Sequence, residues 1–337
     1  MSLEIIIHSL VGLLPVCCFL VALMLLDSYK LVDVRWILGT IVFGGMVAGA
    51  SYLIHSAALD AFDISFTSYS RYFSPFIEEA LKGLIIVVLL YRNRIGFLVD
   101  AAIFGFAVGA GFAVIENIYL LQILPLTDVR VWIIRGFGTA IMHGAATAIL
   151  AVSYRALIRR KDRSPVVAFL PGFLVAGITH SIFNHFFFSP VINTIGVLVC
   201  LPLLMVVVYQ RSEQAVANWL DVGFDADSEL LELINSGRFS TSRVGLYLMT
   251  LKEKFRGEIV ADLLCYLQLH VELSIRAKGL MMMRESGFEN EVGEETKAKL
   301  VEMKYLDKSI GKTGKLAIKP FLQMSRKDLW QFYMLSK

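Results

Sequence analysis

Several ionisable and amide side chains lie inside long apolar stretches of this sequence, where burial in a bilayer makes such groups costly. A charged side chain at the centre of a membrane helix costs about 2.5–3.5 kcal/mol on insertion scales, so these residues are functional candidates. They fall on four successive apolar segments: Glu78, Glu79 and Lys82; then Glu116; then His143; then His180 with Asn184. Carboxylates and imidazoles in such a set can bind a metal or transfer protons.

The first group places two carboxylates and one ammonium within a single helical turn. Lys82 follows Glu78 by four residues and Glu79 by three, so it can pair with either one. One carboxylate is then held by a cation, while the other is free to react. His180 and Asn184 are also four residues apart and share one face of a helix.

One chemistry that fits these residues is metal-assisted hydrolysis. Glu116, His143 and His180 would ligate one metal ion, because three nitrogen and oxygen ligands with an open water position are typical of catalytic zinc. Glu78 or Glu79 would then be the general base. This reading makes Zn²⁺ the expected cofactor.

A second chemistry needs no metal. A glutamate with a raised pKa would activate water, and His180 and Asn184 would bind the oxyanion. The same cluster also suits an ion or proton transporter, although the sequence shows no inverted repeats. A non-catalytic membrane scaffold is the third class, but it does not account for four polar groups at compatible depths.

The elements that must position these residues are membrane helices. The chain is 56% hydrophobic and 18% charged, whereas soluble domains are about 45–50% apolar and about 25% charged. A bilayer core needs about 20 apolar residues per helix, and seven stretches qualify. They are Ile5–Leu26, Trp36–Leu59, Pro75–Leu90, Phe97–Leu121, Val131–Tyr154, Val166–Phe187 and Val191–Tyr209. The expected fold is an all-α, polytopic helical membrane protein, and a GxxxG step at Gly105 and Gly109 predicts close helix packing.

Basic residues concentrate in the first, third and fifth loops, which marks those loops as cytoplasmic. They are Lys30, Arg35, Arg92, Arg94, Arg155, Arg159, Arg160, Lys161 and Arg163. The N-terminus is then outside. The first apolar stretch is read as a retained helix, because no basic residue precedes it. At 1.5 Å per residue, Glu79 and His143 lie roughly 16 Å from the cytoplasmic ends of their helices, His180 about 21 Å and Glu116 about 28 Å.

Charged residues are concentrated in the last part of the chain, where residues 212–337 hold 36 of the 61. We therefore predict a membrane domain over residues 1–211 and a soluble, helical cytoplasmic domain over residues 212–337. Two helices are expected in the second, one over Glu258–Glu285 with a cap at Gly287 and one over Glu294–Ile310 ending at Gly311. The net charge is only +3 and no basic tract is present, so no nucleic-acid partner is expected.

In order and spacing, the motifs resemble those of the PrsW family of intramembrane proteases. The matching residues are Glu78-Glu79-x-x-Lys82, Phe112-x-x-x-Glu116, the intervening His143 and His180-x-x-x-Asn184, within roughly residues 70–190. That family is grouped with the CAAX prenyl endopeptidases and the Abi (CPBP) membrane proteins. The resemblance implies a metallopeptidase that cleaves single-span membrane proteins, such as anti-sigma factors, in a bacterial inner membrane.

The sequence departs from the prenyl-protein relatives at two positions. Those relatives have a histidine where this chain has Glu116, and an arginine-type first motif where it has Lys82. Both departures argue against prenyl-protein processing. They also leave the metal-dependent and metal-independent mechanisms open, because the glutamate–water mechanism was inferred for those relatives.

Overall fold

Helices are the only regular secondary structure in the residues that the structure describes. The structure is a computed structural model and describes residues 3–27, 32–124, 128–158, 164–236, 238, 242–285, 288, 292–318, 322 and 335. The basic residues Lys30, Arg159, Arg160, Lys161 and Arg163 and the predicted cap Gly287 lie outside these ranges. Contacts between residues divide the chain into two compact units, Met1–Ser212 and Glu213–Lys337.

The first unit is built from long apolar helices joined by short connections. They are α1 (Leu3–Leu25), α2 (Val34–Ala61), α3 (Phe66–Tyr72), α4 (Ser74–Tyr91), α5 (Leu98–Ile123), α6 (Val129–Ile133), α7 (Ala140–Ile158), α8 (Pro165–His185) and α9 (Pro190–Asn235). A π-helical turn, Ile134–Thr139, joins α6 to α7. The helix α9 continues past residue 212, so its last turns belong to the second unit.

Six helical segments are long and apolar enough to cross a membrane, counted over the described residues. They are Leu3–Leu25, Val34–Ala61, Leu98–Ile123, Val129–Ile158, Pro165–His185 and Pro190–Asn235. These correspond to six of the seven predicted spans and confirm a polytopic helical membrane protein. The seventh predicted span, Pro75–Leu90, is α4, whose 18 residues include Glu78, Glu79 and Lys82. A lipid-facing span would not contain three ionisable residues. In the structure all three are buried in the protein.

Helix α5 is the centre of the first unit. In this helix 83% of the most apolar window is buried, against 22–33% for α1, α2, α8 and α9. Its glycines let α2 and α7 approach closely on opposite sides. A methyl group at Gly111 would collide with the carbonyl of Ile41, and one at Gly109 would collide with the carbonyl of His143. The close packing predicted from the GxxxG step is therefore present.

The second unit contains α10 (Arg243–Thr250), α11 (Gly257–Glu285) and α12 (Glu294–Ile318). Its core is formed by buried side chains that include Leu263, Leu267 and Ile310. The predicted break at Gly311 is present as a kink, where φ is +63°, and helical structure then resumes to Ile318. Glycine suits this position because it has no Cβ to oppose a positive φ.

Candidate active site

Helix α4 supplies three ionisable side chains to the interior of the first unit. The helix begins at Ser74 and Pro75, and its first two turns hold Glu78, Glu79 and Lys82. The side chains of Glu79 and Lys82 are 0% exposed and that of Glu78 is 10% exposed. Buried charges are tolerated only when other charges and hydrogen bonds compensate them, so their partners define what each group can do.

Both oxygens of Glu79 have partners. Its Oε1 accepts a hydrogen bond from Lys82 Nζ at 2.5 Å and lies 3.1 Å from His180 Nδ1. Its Oε2 accepts a hydrogen bond from the hydroxyl of Thr147 at 3.0 Å. Lys82 also lies over the ring of Phe112, 4.4 Å from the ring centre, in a cation–π contact. Glu79 is thus fixed between α7 and α8.

Glu78 has one engaged oxygen and one open oxygen. Its Oε1 accepts a hydrogen bond from Ser74 Oγ at 2.5 Å and lies 3.3 Å from His55 Nε2. Its Oε2 is buried and has no hydrogen-bond partner within the described part of the chain. That oxygen lies 3.9 Å from both His143 Nδ1 and His180 Nε2.

Glu78, His143 and His180 form a group that can hold a metal ion, since one ligand atom from each lies within 4.8 Å of the others. Zinc binds nitrogen and oxygen ligands at about 2.0–2.2 Å, so two ligands of one tetrahedral ion lie about 3.3–3.6 Å apart. The separations of 3.9 Å between Glu78 Oε2 and the two imidazole nitrogens reach that range with a small inward shift of the side chains. The open, buried oxygen of Glu78 is also what a ligand awaiting a cation would present. The donor set and its spacing therefore fit a divalent metal.

In each of the two histidines, the ring nitrogen on the side away from this group faces another carboxylate. His143 Nε2 lies 3.2 Å from Glu116 Oε2, and His180 Nδ1 lies 3.1 Å from Glu79 Oε1. Metal-binding histidines usually donate their second N–H to a carboxylate or carbonyl, which fixes the tautomer and the ring orientation. The two imidazoles are also held edge to face, with ring centres 4.7 Å apart.

Lys82 is the one cation within the described part of the cluster that faces a ligand atom. Its Nζ lies 3.1 Å from His143 Nδ1 and 3.9 Å from Glu78 Oε2. A metal ion and this ammonium group would compete for the same nitrogen lone pair. Lys82 keeps Glu79 as its closer partner, at 2.5 Å, so the contact with His143 is the one a metal would replace.

Glu116 belongs to the edge of the cluster. The sequence-based ligand set was Glu116, His143 and His180, whereas the structure groups the two histidines with Glu78. Glu116 forms an ion pair with Arg135 Nη2 at 3.1 Å, and its side chain is 35% exposed. Arg135 lies in the π-helical turn, and its Nε donates to Asn117 Oδ1 at 2.8 Å.

Asn184 lies outside the cluster. Its amide Nδ2 donates to the carbonyl of Ser70, in α3, at 3.0 Å. Ser181, one turn earlier, donates to the carbonyl of Arg71 at 2.6 Å. Helix α8 therefore uses these two residues to anchor α3, and the geometry does not direct the amide of Asn184 towards the two glutamates.

Sequence reasoning did not identify His55 or Tyr69 as part of the site. His55 lies in α2, and its ring nitrogens reach Glu78 and the hydroxyl of Tyr69. The signal was available, because His55 is an ionisable residue inside a predicted span, and such residues are functional candidates. His55 is the only charged or histidine residue of the predicted span Trp36–Leu59, so no spacing to a second such residue marked it.

A family model described as "PrsW family intramembrane metalloprotease" matches residues 33–209 of the chain. The match covers every residue of the cluster, together with His55 and Tyr69. No curated protein and no solved structure is similar enough to the chain to count as a match.

Proposed function

Since the chain belongs to the PrsW family of intramembrane metalloproteases, we propose that Glu78, His143 and His180 hold its catalytic metal. The chain is thus an integral membrane peptidase rather than a transporter or a scaffold. The observation that carries the proposed site is the convergence of one open carboxylate oxygen and two imidazole nitrogens within 4.8 Å.

The metal is Zn²⁺ in this proposal, because two imidazoles and one carboxylate leave the open position that is typical of catalytic zinc. When bound, zinc supplies Lewis acidity that activates water and polarises the scissile carbonyl. The structure supports Glu78 over Glu116 as the carboxylate ligand, since Glu116 already faces His143 Nε2 and Arg135.

The remaining residues of the cluster hold or transfer protons. Glu79 holds the Nδ1–H of His180, and this leaves the Nε2 lone pair free to bind the metal. Lys82 and Thr147 compensate the charge of Glu79. Glu116 orients His143 through Nε2 and, as the most exposed carboxylate of the cluster at 35%, is the one proposed to carry protons to and from the site.

The role of Asn184 in this proposal is architectural. Its hydrogen bond to the Ser70 carbonyl holds α3 against α8, beside the N-terminus of α4. An oxyanion role would require the amide to turn from Ser70 towards the substrate. Glu78, Glu79, Lys82, Glu116, His143 and His180 then constitute the reacting cluster, with Asn184 supporting it.

The substrate class follows from the location of the cluster. A site among membrane helices acts on a protein segment within or beside the bilayer, and a single-span protein such as an anti-sigma factor is the proposed substrate. The proposed location is the bacterial inner membrane, with residues 1–211 as the protease domain and residues 212–337 as a cytoplasmic domain. Kinship with the CAAX endopeptidase and Abi (CPBP) proteins belongs to the same proposal.

Proteolysis is tested by mapping new N-termini in membranes of cells that express the wild-type chain or Glu78→Gln. We expect wild-type membranes to contain cleaved single-span proteins whose new N-termini fall in or next to an apolar span, and Glu78→Gln membranes to lack them. Equal sets of N-termini in the two membranes would contradict the proposed catalytic cluster. Metal analysis of the purified chain tests the ligand assignment separately, with about one zinc per chain expected.

A further inference from the structure

Two polar residues outside the proposed cluster, Tyr69 and His55, form a hydrogen-bonded chain that ends at the carboxylate ligand Glu78. His55, in α2, has Nε2 at 3.3 Å from Glu78 Oε1 and at 3.2 Å from Ser74 Oγ. Its Nδ1 lies 2.9 Å from the hydroxyl of Tyr69, in α3. A polar chain therefore runs from α3 through α2 to the first oxygen of Glu78.

The carboxylate of Glu78, at the end of this polar chain, determines which atom donates in each hydrogen bond. An ionised carboxylate can only accept, so the hydrogen of His55 must be on Nε2 for that contact to be favourable. Nδ1 of the neutral ring is then an acceptor, and the Tyr69 hydroxyl donates to it. Tyr69 is 5% exposed and its ring packs edge-on against the imidazole, with ring centres 5.4 Å apart. Tyr69 thereby fixes both the tautomer and the orientation of His55.

These donors distinguish the two oxygens of Glu78. Ser74 and His55 both direct hydrogens at Oε1, while Oε2 has no hydrogen bond in the described part of the chain and faces His143 and His180. The two oxygens of an ionised carboxylate are chemically equivalent, so these donors fix the plane of the group: turning the carboxylate out of this plane would break the hydrogen bonds of Ser74 and His55 and move Oε2 away from the two imidazoles. Ligating carboxylates are commonly held by outer hydrogen bonds, and removing one typically costs 10–100-fold in metal affinity.

We propose that His55, held by Tyr69, is a positioning residue that presents Glu78 Oε2 to the metal. The inference rests on the proposed metal site and extends it to a residue 23 positions upstream of Glu78. Helix α3 can serve this role because the side chain of Ser181 in α8 holds its backbone at Arg71. The required rigidity thus comes from α2, α3 and α8 together.

The test measures zinc affinity of the full-length chain in detergent, by competition with a chelator of known affinity. The variants are His55→Phe, which removes both ring nitrogens, His55→Gln, which keeps an N–H near the position of Nε2, and Tyr69→Phe, which removes one oxygen atom. We expect affinity to fall about 10–100-fold in His55→Phe, to stay within about fivefold of wild type in His55→Gln, and to fall about 3–10-fold in Tyr69→Phe. Tyr72→Phe is the matched control on the same short helix, because Tyr72 is 59% exposed.

A double variant separates positioning from a general loss of packing. If Tyr69 acts through His55, Tyr69→Phe should have no further effect on zinc affinity when His55→Phe is already present. If the two substitutions reduce zinc affinity additively, Tyr69 does not act through His55, and this part of the proposal is wrong. Melting temperatures of all variants are measured alongside, and Tyr69→Phe keeps the test decisive if His55→Phe does not fold.

The wild-type titration separates this inference from the function on which it rests. A wild-type chain that binds no zinc, cobalt or manganese overturns the metal site and this inference with it. Stoichiometric binding in wild type with unchanged affinity in His55→Phe overturns only the role of His55. Stoichiometric binding that weakens in His55→Phe and recovers in His55→Gln supports both.

Discussion

The assignment of Glu78 rather than Glu116 as the carboxylate ligand predicts different results for the same chemical change at the two positions. Glutamine keeps the size of glutamate and removes its charge. Glu78→Gln removes a direct ligand, and its Oε2, 3.9 Å from both imidazoles, would be replaced by an amide. Glu116→Gln removes only the carboxylate that faces His143 Nε2 at 3.2 Å.

The expected magnitudes differ by about one order. Structural zinc sites bind with apparent free energies of about 10–16 kcal/mol through four ligands, which is about 2.5–4 kcal/mol per ligand. Loss of Glu78 as a ligand should therefore weaken zinc binding on the order of 10²–10³-fold. Loss of an outer carboxylate such as Glu116 should cost 10–100-fold, and its stoichiometry should remain near one zinc per chain.

The assay is zinc content after chelator dialysis, followed by competitive titration of the detergent-purified chain. Glu4→Gln is the matched control, because Glu4 is exposed in the first turn of α1 and lies outside the cluster. The reasoning is refuted if Glu116→Gln loses zinc entirely while Glu78→Gln retains it at wild-type affinity. That result would restore the ligand set of Glu116, His143 and His180 and would mean that Glu78 turns away when metal binds.

Three further predictions concern the supporting structure. Gly109→Ala should destabilise the membrane unit by about 1–3 kcal/mol and reduce cleavage, because the added methyl group meets the carbonyl of His143 and forces α5 from α7. Burial lowers the pKa of His270 in α11 from 6.5 to about 4. Protonation of His270 therefore favours the unfolded chain, and the free energy of unfolding should fall by roughly 3 kcal/mol as the pH drops from about 6.5 to about 4. Asn184→Ala should accelerate amide hydrogen exchange in α3 about fivefold, because the lost hydrogen bond to Ser70 is worth about 1 kcal/mol.

Each of these predictions has a control and a contradicting result. Gly49→Ala is the control for Gly109→Ala, because no atom lies within 4 Å of a methyl group at that position; equal melting temperatures for the two variants would contradict the packing argument. Protection of the α11 amides, taken as the intrinsic exchange rate at each pH divided by the observed rate, that does not change between pH 7 and pH 4.5 would show that His270 is not buried as described. Unchanged exchange in α3 of Asn184→Ala would show that Ser70 is held by other contacts.

Much of the architecture follows from the sequence, because apolar length and helical spacing are local properties. Six of the seven predicted spans are present as long apolar helices, and α11 and α12 begin within a residue of their predicted positions, whereas α10 was not predicted. The motif Glu-Glu-x-x-Lys also predicts a pairing within one turn, and Lys82 does pair with Glu79. Helical periodicity fixes these relations before any tertiary contact forms.

The direction in which each carboxylate points was decided only by tertiary structure. Neighbouring residues on an α-helix differ by about 100° around the axis, so the carboxylates of Glu78 and Glu79 leave the helix in different directions. Sequence spacing cannot say which residues of other helices meet each carboxylate, and His180 lies near both of them. In the structure Thr147 and His180 contact the two different oxygens of Glu79, whereas Ser74 and His55 both contact the same oxygen of Glu78.

The depth of Glu116 relative to His143 also could not be predicted from the sequence. Counting residues placed Glu116 about 12 Å farther from the cytoplasmic side than His143, yet their side chains lie 3.2 Å apart. Helix α7 runs to Ile158, four residues past the predicted end of that span at Tyr154, which adds about 6 Å to the depth of His143. The close approach of α5 at Gly109 then brings the two helices together, and neither feature is given by the apolar length of a span. The sequence therefore determined which residues enter the membrane on which helices, because burial and periodicity are local. Helix packing decided which carboxylate reaches the two histidines and brought His55 and Tyr69 to it, because those contacts join residues from separate helices.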